Sequence, residues 1–324
     1  MSDQPIVMND PAHSRDNEVR PFQIEGQNFR GRSVRLGTAV DEILKNHAYP
    51  DPVARILGEF LVLASLLGSM MKYEGIVTIQ VKSGGAIPML VADYENSGQD
   101  GDSGKIRGYA QVDEVKLAHY GKNPSYEGLI GSKQGYMALT IDQGADMERY
   151  QGIVDLKGAN LSEVARNYFL NSEQTPTEIL LTCDKDPVSG FWRAGGIMLQ
   201  HLARGEAGQK RLLERAEKAD PEQENWERAG IFMNSVKTSE LLDPQLNLDD
   251  LLFRLFHEDG VRVFDPSHVA FKCRCSRKKI EETIRAFSQD DIDHSTVDGA
   301  ITVNCQFCST DYVFDPKDFK ETNG

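Results

Sequence analysis

Cysteine is scarce in this chain of 324 residues: there are five, and four of them fall in the last 52 positions. That distribution excludes a disulfide-built scaffold, which needs bridges throughout a short chain. Long apolar runs are also missing. The longest uncharged stretch, FLVLASLLGSMM (60–71), follows Glu59 and stops well short of the about 20 residues that cross a bilayer. The N-terminus, MSDQPIVMNDPAHSRDNEVRPF, has no basic segment leading into an apolar one, so no secretory signal is expected. A cytosolic protein with no membrane partner is the expectation. Positive charge is in deficit, with 36 basic against 50 acidic residues and a net charge of −14. This argues against a general nucleic-acid or anionic-membrane surface. Catalytic motifs are absent too. GSKQG (131–135) lacks the G-x-S-x-G spacing of a nucleophile elbow. VKSGGAIP (81–88) lacks the Gly-Lys-Ser/Thr ending of a phosphate loop. No catalytic constellation emerges, so the chain reads as a non-enzyme.

What is present is enough to fold. Hydrophobic residues make up 40% of the chain, beside 28 glycines, and the length suits about two domains. Residues 1–20 are polar and read as a disordered tail. Residues 21–194 read as an α+β core domain of mixed sheet and helix. In it, TAVDEILKNH (38–47) is a short amphipathic helix. The stretch 50–73 is a long one, apolar nearly all round and therefore buried, with proline near its start. The stretch 75–98 alternates apolar and polar residues around Gly84–Gly85, a hairpin pattern. Residues 105–114, 135–144 and 178–184 read as strands. Residues 160–176 read as a helix capped by Asn160 or Ser162 and closed by Pro176.

Residues 195–255 read as a metastable helical linker. Between Gly205 and Trp226 the only large apolar residues are Leu212 and Leu213. The others favour helix but offer little to bury, so local opening should be cheap. The apolar segment 238–260 closes the linker. Residues 256–324 read as a small C-terminal module of a hairpin plus a helix. No internal repeat is found.

The four late cysteines form two close pairs, Cys273-x-Cys275 and Cys305-x-x-Cys308, with 29 residues (276–304) between them. Reduced thiols at this spacing suit a tetrahedral zinc ion, each pair supplying half of the site. Ser276 can cap a helix whose stripe is Ile280, Ile284 and Phe287, which places Cys275 near a helix start that favours thiolate. Lys272, Arg274, Arg277, Lys278 and Lys279 add positive charge. AITVNCQFCSTDYVF (300–314) reads as a hairpin with the second pair at its turn. Two readings follow. In one the zinc is structural. In the other the accessible thiolates sense oxidants, close into disulfides and release zinc, and the small module then unfolds.

The sequence then resembles the 33 kDa chaperonin family, the redox-regulated heat-shock holdases of bacteria, over nearly its whole length. The resemblance is carried by SVRLGTAVDEIL, HAYPDPVARILGEFLVLASLL, KYEGIVTIQVKSGGAIPMLVADY, GKIRGYAQ, YFLNSEQTPTEILL, KTSELL, LLFRLFHEDGVRVFDP, FKCRCSR and CQFC. It implies one zinc bound by Cys273, Cys275, Cys305 and Cys308 in the reduced state. It implies that oxidants form disulfides Cys273–Cys275 and Cys305–Cys308 and expel the zinc. The module and linker then unfold, and apolar surface holds unfolding client proteins without ATP. It further implies homodimers on oxidative activation and transfer of clients to ATP-dependent refolding chaperones. Two departures stand out. Ser309 sits where the family often has glycine, at a turn suited to left-handed backbone. The linker, 197–235, is longer and more charged than in the commonest members.

The remaining candidates read as structural. Cys183, in EILLTCD, is a small buried strand residue. His257, His268 and His294 lie near the module, but four cysteines already fill a closed zinc site. The alternative function is a nucleic-acid-binding protein with a structural zinc ribbon. Residues 272–285 carry six basic and two acidic side chains, yet residues 270–324 carry eight basic and ten acidic, and a phosphate-binding module should be positive overall. A thiol oxidoreductase built on Cys305-x-x-Cys308 would want that pair at a helix start in a βαβ unit rather than in a hairpin.

Overall fold

The computed structural model describes residues 16–98, 104–131, 133, 135–144, 147–202 and 221–319. It is an α+β molecule built on one large curled sheet. Its strands are β1 (Glu18–Ile24), β2 (Phe29–Leu36), β3 (Gly75–Lys82), β4 (Met89–Asn96), β5 (Gly104–Gln111), β6 (Tyr136–Asp142), β7 (Tyr150–Asp155), β8 (Thr177–Lys185), β9 (Trp192–His201), β10 (Val261–Val263) and β11 (Ser267–Phe271). The order across the sheet is β7-β6-β3-β4-β5-β11-β1-β2-β9-β8, with β10 also paired to β1. Every pairing is antiparallel except β11 with β5.

Helix α1 (Thr38–His47) matches its expected span, and α2 (Asp51–Gly68) lies in the hollow of the sheet. Thirteen of the 18 residues of α2 are buried, as its all-round apolar sequence predicts, because strands from both halves of the sheet face it. Gly58 makes the close approach possible. A Cβ there would lie 2.2 Å from the Cys183 sulfur on β8. Cys183 itself is buried, as its strand sequence suggests. Two short helices, α3 (Glu114–His119) and α4 (Tyr126–Ile130), join β5 to β6. Helix α5 (Leu161–Asn171) is capped by the Asn160 side chain, which accepts from the Glu163 amide.

The opposite face of β1, β2 and β9 is covered by α6 (Pro221–Ser235), α7 (Thr238–Leu241) and α8 (Leu248–Phe256). Phe22, Ile24, Phe29, Ile197 and Leu199 from the strands meet Trp226, Met233, Leu241, Leu248, Leu251, Leu252 and Phe256 from the helices. This explains β9, whose ten residues are all buried. Met198 faces the α2 side, while Ile197 and Leu199 face the α6–α8 side. A strand covered on both faces loses the alternation that marks a half-exposed one.

Several expectations are corrected. Residues 18–20 belong to strand β1 and not to a disordered tail; residues 1–15 lie outside the described residues. Residues 195–201 are strand, not helical linker, because their apolar side chains fill two cores at once. The charge-rich stretch 203–220 lies outside the described residues, and helix is described from Pro221 onward. Residues 261–271 hydrogen-bond into the large sheet through β10 and β11. Strands β1, β2, β7 and β9 were not expected.

After β11 the chain forms a small unit. It holds α9 (Arg277–Arg285), α10 (Gln289–Ser295) and strands β12 (Thr296–Val297), β13 (Ala300–Asn304) and β14 (Asp311–Phe314) in a three-stranded sheet. Its apolar cluster has five buried side chains, Ile284, Ile292, Ile301, Phe314 and Phe319. Phe287, expected in the α9 stripe, is 44% exposed because the helix ends before it.

Candidate metal centre

Two turns bring the four cysteines together. The first begins at the sheet. The parallel pairing of β11 with β5 continues through the Lys272 amide, which donates to the Ile106 carbonyl at 3.1 Å. Cys273, Arg274 and Cys275 follow at once. Ser276 then caps α9, its hydroxyl accepting from the Lys279 amide, as expected. The second turn closes the β13–β14 hairpin. The Cys305 amide donates to the Thr310 carbonyl at 2.9 Å, and the Ser309 amide donates to the Cys305 carbonyl at 2.7 Å. Ser309 has φ +54°, the left-handed conformation that favours glycine. Serine there carries a modest backbone strain that the fold of the turn holds in place.

The Cys273 and Cys305 sulfurs are 3.6 Å apart, and those of Cys275 and Cys308 are 3.4 Å apart. All four ligand atoms lie within 4.8 Å of one another. A zinc–sulfur bond of about 2.3 Å puts tetrahedral thiolates about 3.8 Å apart. The donor set therefore fits a tetrahedral metal ion of thiolate preference. His257, His268 and His294 are outside this cluster.

Two hydroxyls support the sulfurs, and the sequence reading missed both. The Tyr312 hydroxyl is 3.2 Å from the Cys275 sulfur, and the Thr310 hydroxyl is 3.2 Å from that of Cys308. Toward thiolates these hydroxyls donate, which disperses negative charge on the sulfurs. The period-2 alternation of a short hairpin strand would have placed both side chains near the turn, but not which sulfur each meets.

The titration of the sulfurs is uneven. Burial pushes the Cys275 thiol up to about 12, with the neighbouring sulfurs adding to the rise and the Tyr312 hydroxyl opposing it. Burial also raises Cys305. At Cys308 burial acts upward as well, but the Thr310 hydroxyl and amide and the neighbouring sulfurs outweigh it, and the thiol falls to about 7. The hydrogen bond to Cys275 raises the Tyr312 phenol to about 12. Without a metal, burial raises Cys275 although it precedes a helix start, and Cys308 is the more acidic thiol.

The cations around the site have specific partners. Arg277 lies over the Phe314 ring at 4.3 Å and donates to the Val313 carbonyl, and Arg285 lies over Phe319 at 5.3 Å. They shield the small apolar cluster from water. The residues enclosed by the cysteine pairs reach instead to the large sheet and to the end of α1. Arg274 donates to the Asp93 carboxylate on β4. Phe307 covers Arg107 of β5 at 3.8 Å and meets Tyr109 edge-on at 4.8 Å. The Gln306 carbonyl accepts from His47 Nε2 at 2.7 Å.

Comparison with known proteins fits this architecture. The family model described as Hsp33 protein matches residues 17–315. The 33 kDa chaperonin of Caulobacter vibrioides is 39% identical over 307 residues, covering 93% of this chain and 95% of that protein. The 33 kDa chaperonin of Enterobacter sp. is 34% identical over 312 residues, covering 95% of each. The crystal structure of a 33 kDa chaperonin from Thermotoga maritima aligns with a TM-score of 0.71 at 21% identity, covering 94% of this chain and 97% of that one, and so shares its fold. Among the described residues no helix is long and apolar enough to cross a membrane. With a family match running from β1 through β14, the chain belongs to the Hsp33 family.

Proposed function

We propose that this protein is a redox-regulated, ATP-independent chaperone of the holdase type, switched by Cys273, Cys275, Cys305 and Cys308. The observation that carries the reading is the convergence of four sulfurs in a unit whose apolar cluster has only five buried side chains. So small a cluster cannot stabilise a fold alone, so the bound ion becomes part of its folding energy. Zinc suits the all-thiolate tetrahedral set. When bound, it would offset half of the charge of the four clustered thiolates and tie the two turns together.

Oxidation removes those ligands. Two thiolates give two electrons to the O–O bond of hydrogen peroxide; one S–S bond forms and two hydroxides leave. Two such events, at Cys273–Cys275 and Cys305–Cys308, leave no thiolate donors. The module beyond β11 then unfolds, and the linker helices α6–α8, residues 221–256, loosen with it. The linker covers apolar surface. Phe22, Ile24, Phe29, Ile197 and Leu199 lie beneath its helices, and both sides of that seam would become available to unfolding clients. Homodimers form in the active state, and clients pass to ATP-dependent refolding chaperones. A cytosolic setting keeps the thiols reduced until stress arrives.

The test is light scattering of a chemically unfolded client diluted into reduced, zinc-loaded protein or into peroxide-treated protein. Suppression of aggregation by the oxidised form alone is expected. Equal behaviour of the two forms would overturn the switch and leave the metal a structural role.

A further inference from the structure

The residues enclosed by the two cysteine pairs have no part in holding a metal, yet Arg274 and Phe307 reach the large sheet and Gln306 reaches the end of α1. Arg274 is the single residue inside Cys273-x-Cys275. Its guanidinium donates to Asp93, whose side chain is 5% exposed. Phe307, inside Cys305-x-x-Cys308, lies on the face of Arg107. Arg107 itself donates to the same Asp93 at 2.7 Å. One buried carboxylate therefore joins two guanidiniums, one from each side of the contact. The Gln306 carbonyl, bound by His47, adds a third attachment.

The core half of this contact is complete without the module. Asp93 accepts from the Thr78 hydroxyl at 2.7 Å and from Arg107, so withdrawal of Arg274 leaves no unpaired buried carboxylate. Breaking a contact that strands a buried charge is strongly disfavoured, whereas this one can open and close. The module half behaves differently. Arg274 and Phe307 are fixed only while the sulfurs on either side of them are fixed, since each is the direct chain neighbour of a ligand cysteine.

We propose that Arg274 and Phe307 are positioning residues for the metal site that act through a preformed receptor, Asp93 and Arg107, so that docking of the module and retention of the metal are one coupled equilibrium. This rests on the reading that the four sulfurs hold zinc. Coupling is reciprocal: if ligand loss frees the module from the sheet, weakening the docking must loosen the metal. Variants that touch no sulfur should then hold zinc less tightly, and a larger undocked population should expose the metal and speed its transfer to a chelator.

The experiment uses the full-length reduced protein. Its zinc content is measured first, then the rate of zinc transfer to a chelating dye, with and without limiting peroxide. Arg274→Ala and Phe307→Ala should each speed transfer by about tenfold, the size expected for losing one partly buried charge-assisted or cation–π contact. Phe307→Tyr keeps the ring and should transfer at the wild-type rate. Asp93→Asn, in the core, should match Arg274→Ala, and the double variant should be no faster than either alone. Hydrogen exchange along β4 and β5 should rise on zinc removal in the wild type and be raised already in Phe307→Ala. Wild-type transfer rates in all variants of normal zinc content would overturn the coupling while leaving the metal site standing. Additive effects in the double variant would also overturn it. Wild-type protein that binds no zinc would overturn the metal reading itself.

Discussion

The large sheet and the cysteine module solve the same problem with different means. The sheet wraps α2, and its apolar cluster draws on more than forty buried side chains, from Val19 to Val269. The module has five, and its two turns meet at four sulfurs. A lesion in the first is diluted among many neighbours. A lesion in the second removes a large share of what holds the unit. The proposed regulation by an oxidant would use that contrast: chemistry confined to four atoms would unfold the module because its own core is small, and would spare the core because the core has its own larger cluster.

The sharpest way to break the comparison is to remove the metal ligands. Cys305→Ser with Cys308→Ser should abolish tight zinc binding, a loss on the order of ten kcal/mol of module stability. Zinc analysis and peptide-resolved hydrogen exchange would read this as an open module on a folded core. A module that stays protected without metal would refute it. Next in size, Phe60→Ala in the middle of α2 should cost the core about 3–5 kcal/mol, lowering the main thermal transition while zinc content stays whole. Trp226→Ala should cost about as much locally, because its ring packs against Phe29 and His201. Its readout differs: the reduced protein should gain chaperone activity as the α6 seam loosens.

Smaller lesions sharpen the contrast. Asn160→Ala and Ser276→Ala each remove one helix cap worth about 1 kcal/mol. The first should shift the core melt by only a few degrees. The second should measurably speed zinc loss, because the same energy is a larger part of a smaller total. Acidity offers a graded version. Burial raises the metal-free Cys275 and Cys305 thiols above their ordinary range, so zinc must displace protons at neutral pH. Zinc affinity should therefore rise as pH rises from 6 to 9, by up to about tenfold per unit for each proton displaced. A flat profile in competition titrations would contradict this.

Legibility in the sequence followed periodicity and spacing. Helix 38–47, the β3–β4 hairpin and the cysteine hairpin each announce themselves within one local stretch of sequence, and the fold bears them out. The two close cysteine pairs identify the site because metal geometry constrains local spacing. Strand β9 was hidden because burial on both faces erases alternation, and its Gly195–Gly196 pair lowers strand propensity. Gly196 instead lets Val62 of α2 approach the strand, where a Cβ would lie 2.6 Å away. The seat of the module on the sheet was also hidden. Asp93 and Arg274 are separated by 181 positions, and nothing local at either one names the other.

The most direct test of the account is peptide-resolved hydrogen exchange on the full-length protein, reduced with zinc and then treated with peroxide. Peptides spanning 273–319 and 221–256 should lose protection after oxidation, while those spanning 53–66 and 192–199 keep theirs. Uniform loss across all four, or none in the module, would contradict the claim that a metal-dependent unit yields while the core stands.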